Sequence, residues 1–593
     1  MFGRVNGGAC FALNTERERI AGYREKKREN VALSRTGAKY VAEFFREYGV
    51  GAIFFVPTIL SKALASMDDM PIKRVLTHGE KAAVYMADGY ARASGRPGVC
   101  AAQAIGAANL AAGLRDPFMA HSPVIALTGG RQPDQKHKFS YQEIDDYPLF
   151  NQVTKANFQV DRASRLPDLL RQAFREATSG TPGPVNLQLA GKQGDVELEL
   201  LDSALIVEKQ YAKVPSHRPA PEKERVQEAL QLLKKARRPV MVVGGGAKWS
   251  AAQVEVRKLA EALSIPVATS LNAYALFPEN HPLYIGVPGT YSRSCTNKIL
   301  CRADLVLFVG SQTGGLLTNF WRVPPEGMPV IQIGIDASDL GRNYPNVVSV
   351  LGDAKVTLEA LGGDLVERNA WVEEAQREVM AWRNEVEPWR NSDAVPMRPE
   401  RILKELGDWL PEDAIVVCDT GHAGMWSAQQ LWVDSLQWDF MRAAGSLGWA
   451  FPASIGAKCG APDRPVICFT GDGGFWYHLQ ELETAVRCGI PTVTCVNNNN
   501  SLNQETAIFQ AAYDGKPSKR QSEMWHFSSV NFAKIAESFG AWGVRVEKPG
   551  ELRPAFDRAL SSGKPAVIDI VSDIASLSPL AWGPTMPERH GVA

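Results

Sequence analysis

One carboxylate and a run of amides are spaced to hold a hard metal ion together with a phosphate. They lie in the stretch Gly471–Gln504, GDGGFWYHLQELETAVRCGIPTVTCVNNNNSLNQ. Asp472 stands among Gly471, Gly473 and Gly474, and Asn497–Asn500 follows about 25 residues later. One carboxylate, one amide oxygen and loop carbonyls suit Mg²⁺, which takes few protein ligands and completes its octahedron with water and phosphate oxygens. Backbone N–H groups at a helix start suit the same phosphate. GDG alone is a common turn, and an asparagine run alone is usually a solvated loop. Their order and spacing make the signal specific.

The elements that would position these groups are legible around them. Pro465–Thr470 (PVICFT) reads as a short buried strand. A glycine turn over Gly471–Gly474 is expected next, in conformations that only glycine tolerates at several positions. Leu479, Leu482, Ala485 and Val486 fall at helical spacing. Gly489 and Pro491 stop that helix, and Thr492–Val496 forms a second strand. A right-handed crossover between parallel strands brings Asp472 and the asparagines to one sheet edge, where doubly wound sheets bind ligands.

The same alternation recurs along the chain. Strands are expected at Ala52–Val56, Arg74–Thr77, Gly98–Gln103, Pro123–Thr128 and Pro184–Leu189. A second group lies at Pro239–Val243, Pro266–Thr269, Asp304–Val309 and Pro329–Ile335. Ala414–Cys418 and Ala566–Val571 complete the third. The fold class is α/β, with three doubly wound parallel-sheet domains. Residues 1–33 form an extension whose charged run, Glu16–Asn30, reads as a surface helical arm. The first domain takes 34–212, a linker 213–221, the central domain 222–366, a linker helix 367–400, the third domain 401–574, and a tail 575–593. Trp371, Trp382 and Trp389 read as the docking face of the linker helix. Gly244-Gly245-Gly246 reads as a tight turn, because a spaced GxGxxG and its acidic partner are missing.

Bulk properties narrow the function. At 593 residues the chain exceeds one core. Lys+Arg and Asp+Glu are both 65, so there is no bulk electrostatic case for nucleic acid or an anionic membrane. No apolar run approaches the roughly 20 residues of a membrane span. No secretory signal is read at the start. The nine cysteines are scattered without CxxC and read as buried apolar residues of a cytoplasmic protein.

The anchor pattern resembles that of thiamine diphosphate (ThDP) enzymes. THGEKAAVYMADGYARASGRPGV, AHSPVIALTGG, YQEIDDYPLFNQVTK, GIDASDLGRNYP and CDTGHAGMWSAQQ look like the acetolactate synthase-like decarboxylase and carboligase family. That resemblance implies pyrimidine-binding, central and diphosphate-binding domains in this order. It implies that Glu80 lies beside N1′ of the aminopyrimidine and promotes the tautomer that deprotonates C2. It places Leu447 under the thiazolium and gives the Gly445 carbonyl to the 4′-amino group. Thr420, Gly421 and His422, with Gly471, Gly473 and Gly474, would meet the diphosphate. Asp472, Asn499 and the main-chain oxygen of Ser501 would hold Mg²⁺, with Asn498 the alternative in the asparagine run. Glu80 and the anchor would come from different subunits, implying a homodimer or homotetramer with sites at the interface.

The expected activity is decarboxylation of a 2-keto acid or related carbonyl, followed by C–C bond formation. Simple decarboxylation, acyl transfer, C–C hydrolysis and an inactive regulatory homologue are the alternatives. The departures from the family fall on the substrate side. Thr58-Ile59 replaces a glycine pair after Pro57, and Ala104-Ile105-Gly106 replaces a Gly-Pro-Gly loop. Tyr141-Gln142 stands for Phe-Gln, leaving Gln142 as a polar contact. Thr58, Ile59, Ile105, Gly106 and Tyr141 are therefore expected to shape the substrate pocket. Ser311-Gln312-Thr313-Gly314 replaces the arginine-bearing motif associated with FAD, so FAD is not favoured.

Overall fold

The computed structural model describes residues 35–362, 365–516 and 518–584. The run Glu16–Asn30 lies outside them. Three six-stranded parallel sheets follow one another along the chain. The first holds β1 (Ala52–Val56), β2 (Lys73–Leu76), β3 (Gly98–Ala102), β4 (Val124–Gly129), β5 (Ala156–Val160) and β6 (Val185–Leu189), in the order 2-1-3-4-6-5. The second holds β7 (Pro239–Val243), β8 (Val267–Thr269), β9 (Tyr284–Gly286), β10 (Leu305–Val309), β11 (Val330–Gly334) and β12 (Asn346–Leu351), in the order 9-8-7-10-11-12. The third holds β13 (Ile415–Cys418), β14 (Asp439–Arg442), β15 (Val466–Gly471), β16 (Val493–Asn498), β17 (Trp542–Val546) and β18 (Ala566–Val571), in the order 14-13-15-16-18-17. Central strands such as β3, β7 and β10 are buried along their whole length, as strands covered by helices on both faces must be.

Five strands of these three sheets went unread in the sequence: β5, β9, β12, β14 and β17. Every one is the edge of its sheet. Most edge strands are half-covered and mix polar with apolar residues, so they lack the continuous apolar run of a central parallel strand.

Six helices frame the site: α1 (Glu80–Ser94), α2 (Ala107–Met119), α3 (Asn369–Arg390), α4 (Ala450–Gly460), α5 (Asp472–Trp476) and α6 (Glu481–Arg487). Gly95 ends α1 in the left-handed region, φ 68°. Helices α1 and α4 lock the first domain onto the third within one chain. They approach so closely that a Cβ at Gly89 would collide with the Ala453 carbonyl, and one at Gly456 with that of Met86. Beside this contact the Trp449 indole donates to Asp88 Oδ2 at 2.9 Å, and Arg92 pairs with the same carboxylate at 2.7 Å. On α3, Trp371 and Trp382 are buried, while Trp389 is half-exposed beneath the Arg398 guanidinium.

The expected glycine turn at the anchor is corrected. Gly471 ends β15, and Asp472, Gly473 and Gly474 form the first turn of α5. None of these glycines adopts a positive φ. Space, not backbone freedom, demands two of them. A Cβ on Gly473 would collide with Leu502, and one on Gly474 would stand 2.7 Å from Thr470 Oγ1. Around Gly471 the space is open to 4 Å.

Candidate active site

Parallel pairing of β15 with β16 sets Gly471 opposite Asn497, so Asp472 and the asparagine run share the carboxyl edge of the third sheet. Asp472 is buried, with Oδ1 accepting from its neighbour Gly473 N at 2.6 Å and Oδ2 from Ser501 N at 3.1 Å. Burial pushes its carboxyl up to about 7, against the pull of backbone donors from Gly473, Ser501, Asn500 and Asn499. Asn498 turns away: its amide donates to Asp569 Oδ1 at 2.7 Å and to the Val530 carbonyl at 3.1 Å. Asn499 faces Ser501, whose hydroxyl donates to its Oδ1 at 2.9 Å. The buried Asn497 Oδ1 has no hydrogen-bond partner. Among the described residues, no group of three or more His, Cys, Asp or Glu side chains is placed to hold a metal. One carboxylate and amide oxygens fit a hard cation that shares its shell with a phosphate, as Mg²⁺ does.

Two aspartates that sequence reasoning did not single out build the neighbouring loops. Asp419 follows β13 directly and is buried. It accepts from Thr420 N (2.8 Å), Gly448 N (3.1 Å), Ala450 N (3.3 Å) and Thr470 Oγ1 (3.2 Å). One carboxylate thus ties the Thr420–His422 loop to the Leu447 loop. Asp116 on α2 is fully buried and accepts from the backbone N–H groups of Ala444, Gly445 and Ser446 at 2.9–3.2 Å. The only signal for either was an aspartate among apolar residues, and such groups are buried only when paired. Leu447 is half-buried and belongs to none of the hydrophobic clusters, unlike a core leucine. Gly421 has φ 69°, and a Cβ there would meet Gln504. His422 is half-buried, and burial lowers its imidazole to about 4, leaving it neutral.

Glu80 opens α1, where a carboxylate suits the helix dipole. Asn109 Nδ2 donates to its Oε2 at 3.1 Å, and its carboxylate lies on Gly106, so closely that a Cβ there would stand 2.9 Å from the carboxyl carbon. Both neighbours belong to the first domain. Ile105 beside them is 51% exposed. Thr58 is also exposed, but Ile59 is 1% exposed and packs in the first-domain core. The expectation that Ile59 lines a pocket is therefore corrected: its side chain turns inward to fill the core, and Thr58 alone of the pair faces open space. Tyr141 is 76% exposed under the Lys192 ammonium, and the buried Gln142 Oε1 has no partner.

Residues 35–149 match the N-terminal TPP binding domain of thiamine pyrophosphate enzymes, 226–361 the central domain, and 419–570 the C-terminal TPP binding domain. The chain is 32% identical to a probable acetolactate synthase large subunit of Methanocaldococcus jannaschii over 563 residues, 92% of this chain and 93% of that protein. It belongs to the thiamine pyrophosphate enzyme family. It is also 30% identical to the acetolactate synthase large subunit of Corynebacterium glutamicum, covering 92% of this chain and 88% of that protein. In this acetolactate synthase-like enzyme the first and third domains are the TPP-binding ones.

Between the domains of the thiamine pyrophosphate enzyme lies a cavity of about 490 Å³ at the carboxyl edge of the central sheet. Gly244 and Gly246 line it, and they also pack tightly on Gly310, where a Cβ on Gly244 would collide with the Gly310 carbonyl. Asp336, Asp339 and Asp353 bring three carboxyl groups to the lining, against the cationic Arg442 and the imidazole of His121. No helix among the described residues is long and apolar enough to cross a membrane.

Proposed function

We propose that this chain is a ThDP- and Mg²⁺-dependent carboligase acting on a 2-keto acid, working as a homodimer or homotetramer in the cytoplasm. The observation that supports it best is the pairing of a complete oxygen-donor anchor on one domain with a helix-start glutamate backed by a buried glycine on another. Asp472, Asn499 and the Ser501 carbonyl would hold Mg²⁺. The tie of Asn498 to Asp569 favours Asn499 for that role. The turn at Gly471 and the Thr420–His422 loop would receive the diphosphate. Leu447, held in place through Asp419 and Asp116, would support the ring, and Gly445 would present its carbonyl to the 4′-amino group. ThDP, when bound, supplies an electron sink at the reacting carbon.

The chain's own task is proton handling and exclusion of water. Glu80 would share a proton with N1′ of the bound cofactor, as a carboxyl group can and an amide cannot. Gln142 and Thr58 orient the substrate, and the Ile105 side chain narrows its approach. Every described contact of Glu80 is within the first domain, which supports a site completed by a second chain. Exposed Phe139, Tyr141, Tyr477 and Ile508 are apolar surface for such an interface. FAD is not favoured, since Ser311-Gln312-Thr313-Gly314 stands where the family's FAD-associated motif carries an arginine.

Release of CO₂ from a panel of 2-keto acids, with product analysis for new C–C bonds, tests the reading. Glu80→Gln should keep the fold and ThDP binding while C2 hydrogen–deuterium exchange slows by orders of magnitude. Wild-type exchange in that variant would remove Glu80 from the mechanism.

A further inference from the structure

The asparagine at the head of the run carries a buried oxygen that the fold does not use. Asn497 is 5% exposed, and its Oδ1 has no hydrogen-bond partner among the described residues. Leaving a buried acceptor unpaired is unfavourable, so such an oxygen calls for a donor that arrives with a ligand. A role in the fold alone needs no amide here. Val493 and Cys495, the preceding residues on the same face of β16, are apolar and buried in one core.

The register shows which way this amide faces. Side chains alternate along a strand, and partners in a parallel ladder share a face. Asn498 points to one face, where it donates to Asp569 Oδ1 at 2.7 Å and to the Val530 carbonyl at 3.1 Å. Asn497 points to the other, with its ladder partners Gly471 on β15 and Ile570 on β18. On that face Cys495, Phe469 and Ile570 share a core with Ala423 and Trp426, from the helix His422–Gln430. The Thr420–His422 loop, which starts that helix, is therefore on the Asn497 side of the sheet. Gly471 has no side chain, and a Cβ there would meet nothing within 4 Å. Asn497 thus borders the opening beside the strand end that leads into Asp472.

Of the groups that the anchor would bring together, one can serve this oxygen. A diphosphate presents acceptors. Mg²⁺ keeps several of its waters, and each of these is a donor. Asn499 follows two residues later, about 7 Å along an extended chain, a separation that suits a water between metal and amide better than a second direct ligand. We propose that Asn497 positions the metal: its amide oxygen accepts a hydrogen bond from a water that Mg²⁺ keeps when Asp472 and Asn499 bind it. This rests on the Mg²⁺–ThDP reading of the same anchor and adds a residue to it.

The test uses the full-length chain with excess ThDP and calorimetric titration of Mg²⁺. Asn497→Leu, a change of similar size, should weaken Mg²⁺ binding by about 10- to 100-fold, the usual effect of losing such a supporting contact. Asn497→Asp keeps an acceptor oxygen and should stay within about threefold of wild type or bind more tightly. Without metal or cofactor, Asn497→Leu should unfold at the same or a higher denaturant concentration than wild type, because an apolar side chain removes the unpaired oxygen. An asparagine with a purely structural role would give the reverse, a less stable metal-free chain. Asp472→Ala is the control for the anchor. If Mg²⁺ binds that variant as it binds wild type, the anchor reading fails. Three results would overturn the role of Asn497 and leave the anchor standing, given that Asp472→Ala loses Mg²⁺. They are Mg²⁺ affinity within about threefold of wild type in Asn497→Leu, equal loss in both Asn497 variants, and a destabilised metal-free Asn497→Leu chain.

Discussion

Replacing Gly106 by alanine should disable the chemistry while leaving the cofactor anchored. The backbone admits alanine, since Gly106 has φ −86° and ψ −7°. The obstacle is the Glu80 carboxylate, whose carbon would lie 2.9 Å from the new Cβ. Relaxed carbon–carbon contacts are about 3.5–4.0 Å, so the carboxyl group must retreat by roughly 1 Å. Asn109 holds Oε2 from the other side and must follow or release it. A misplacement of about 1 Å at a reacting group costs on the order of 100-fold in rate, or about 2.7 kcal/mol of barrier. The variant should therefore lose about 100-fold in kcat and show slowed C2 exchange of bound ThDP by NMR. Its Mg²⁺-dependent ThDP affinity, measured by calorimetry, should change by less than about fivefold, because the anchor is on another domain. Turnover within about threefold of wild type would refute the placement of Glu80 as the proton-exchanging group.

Four further outcomes are expected. Asp472→Ala removes the carboxylate of the anchor and should weaken Mg²⁺-dependent ThDP binding by more than about 100-fold in calorimetry; unchanged affinity would remove it as the metal ligand. Ile59→Ala should act as a core cavity, lowering stability by about 2–5 kcal/mol in denaturant unfolding, whereas Thr58→Gly should shift substrate ranking with stability nearly intact. The purified protein should contain no stoichiometric flavin, and absorbance matching one flavin per chain would overturn that. Glu481 is fully buried, accepts from His78 N at 3.0 Å and Thr484 Oγ1 at 2.8 Å, and burial raises its carboxyl from 4.5 to about 7. A raised folded pKa contributes stability that is complete below about pH 4.5 and is lost as pH rises through about 7. Glu481→Gln should therefore unfold at progressively higher temperature relative to wild type between pH 4.5 and 7.5, by at most about 3 kcal/mol, and a pH-independent difference would contradict the burial argument.

Much of this architecture was legible because parallel strands buried on both faces leave continuous apolar runs. Pro239–Val243 and Leu305–Val309 read as strands from composition alone. The edges were not legible. Trp542–Val546 is half-covered, and Asp439–Arg442 places charges at both ends, so neither shows the pattern of a central strand. At the site, the acid and the asparagines could be read because their spacing reflects one strand–helix–strand unit. Asp116 could not, because its partners lie some 330 residues away in sequence. Ile59 was misread for the opposite reason: its position after a strand end is right for a pocket, but a side chain's direction is set by tertiary packing that no local pattern reveals.

The inner packing of the chain bears on why Glu80 and the anchor would belong to different copies. The first and third domains already meet through α1 and α4, at glycine contacts too close to admit a methyl group. Glu481 on α6 grips the backbone of His78, and Arg487 reaches the Leu76 carbonyl, so the strand end that leads to Glu80 is clamped from the third domain of its own chain. That clamp fixes the root of the loop, not the carboxylate, whose described neighbours are Asn109 and Gly106. A rigid intrachain pairing of this kind fixes the start of the helix that carries Glu80, while Ile105 in the neighbouring loop stays exposed. A second copy can then bring its anchor to a preorganised acid, and each copy offers both halves, so two equivalent sites would close around one two-fold axis. Preorganisation of the acid before assembly is also what makes a single methyl group at Gly106 a sharp probe, because Glu80 can retreat only if Asn109 follows or releases it.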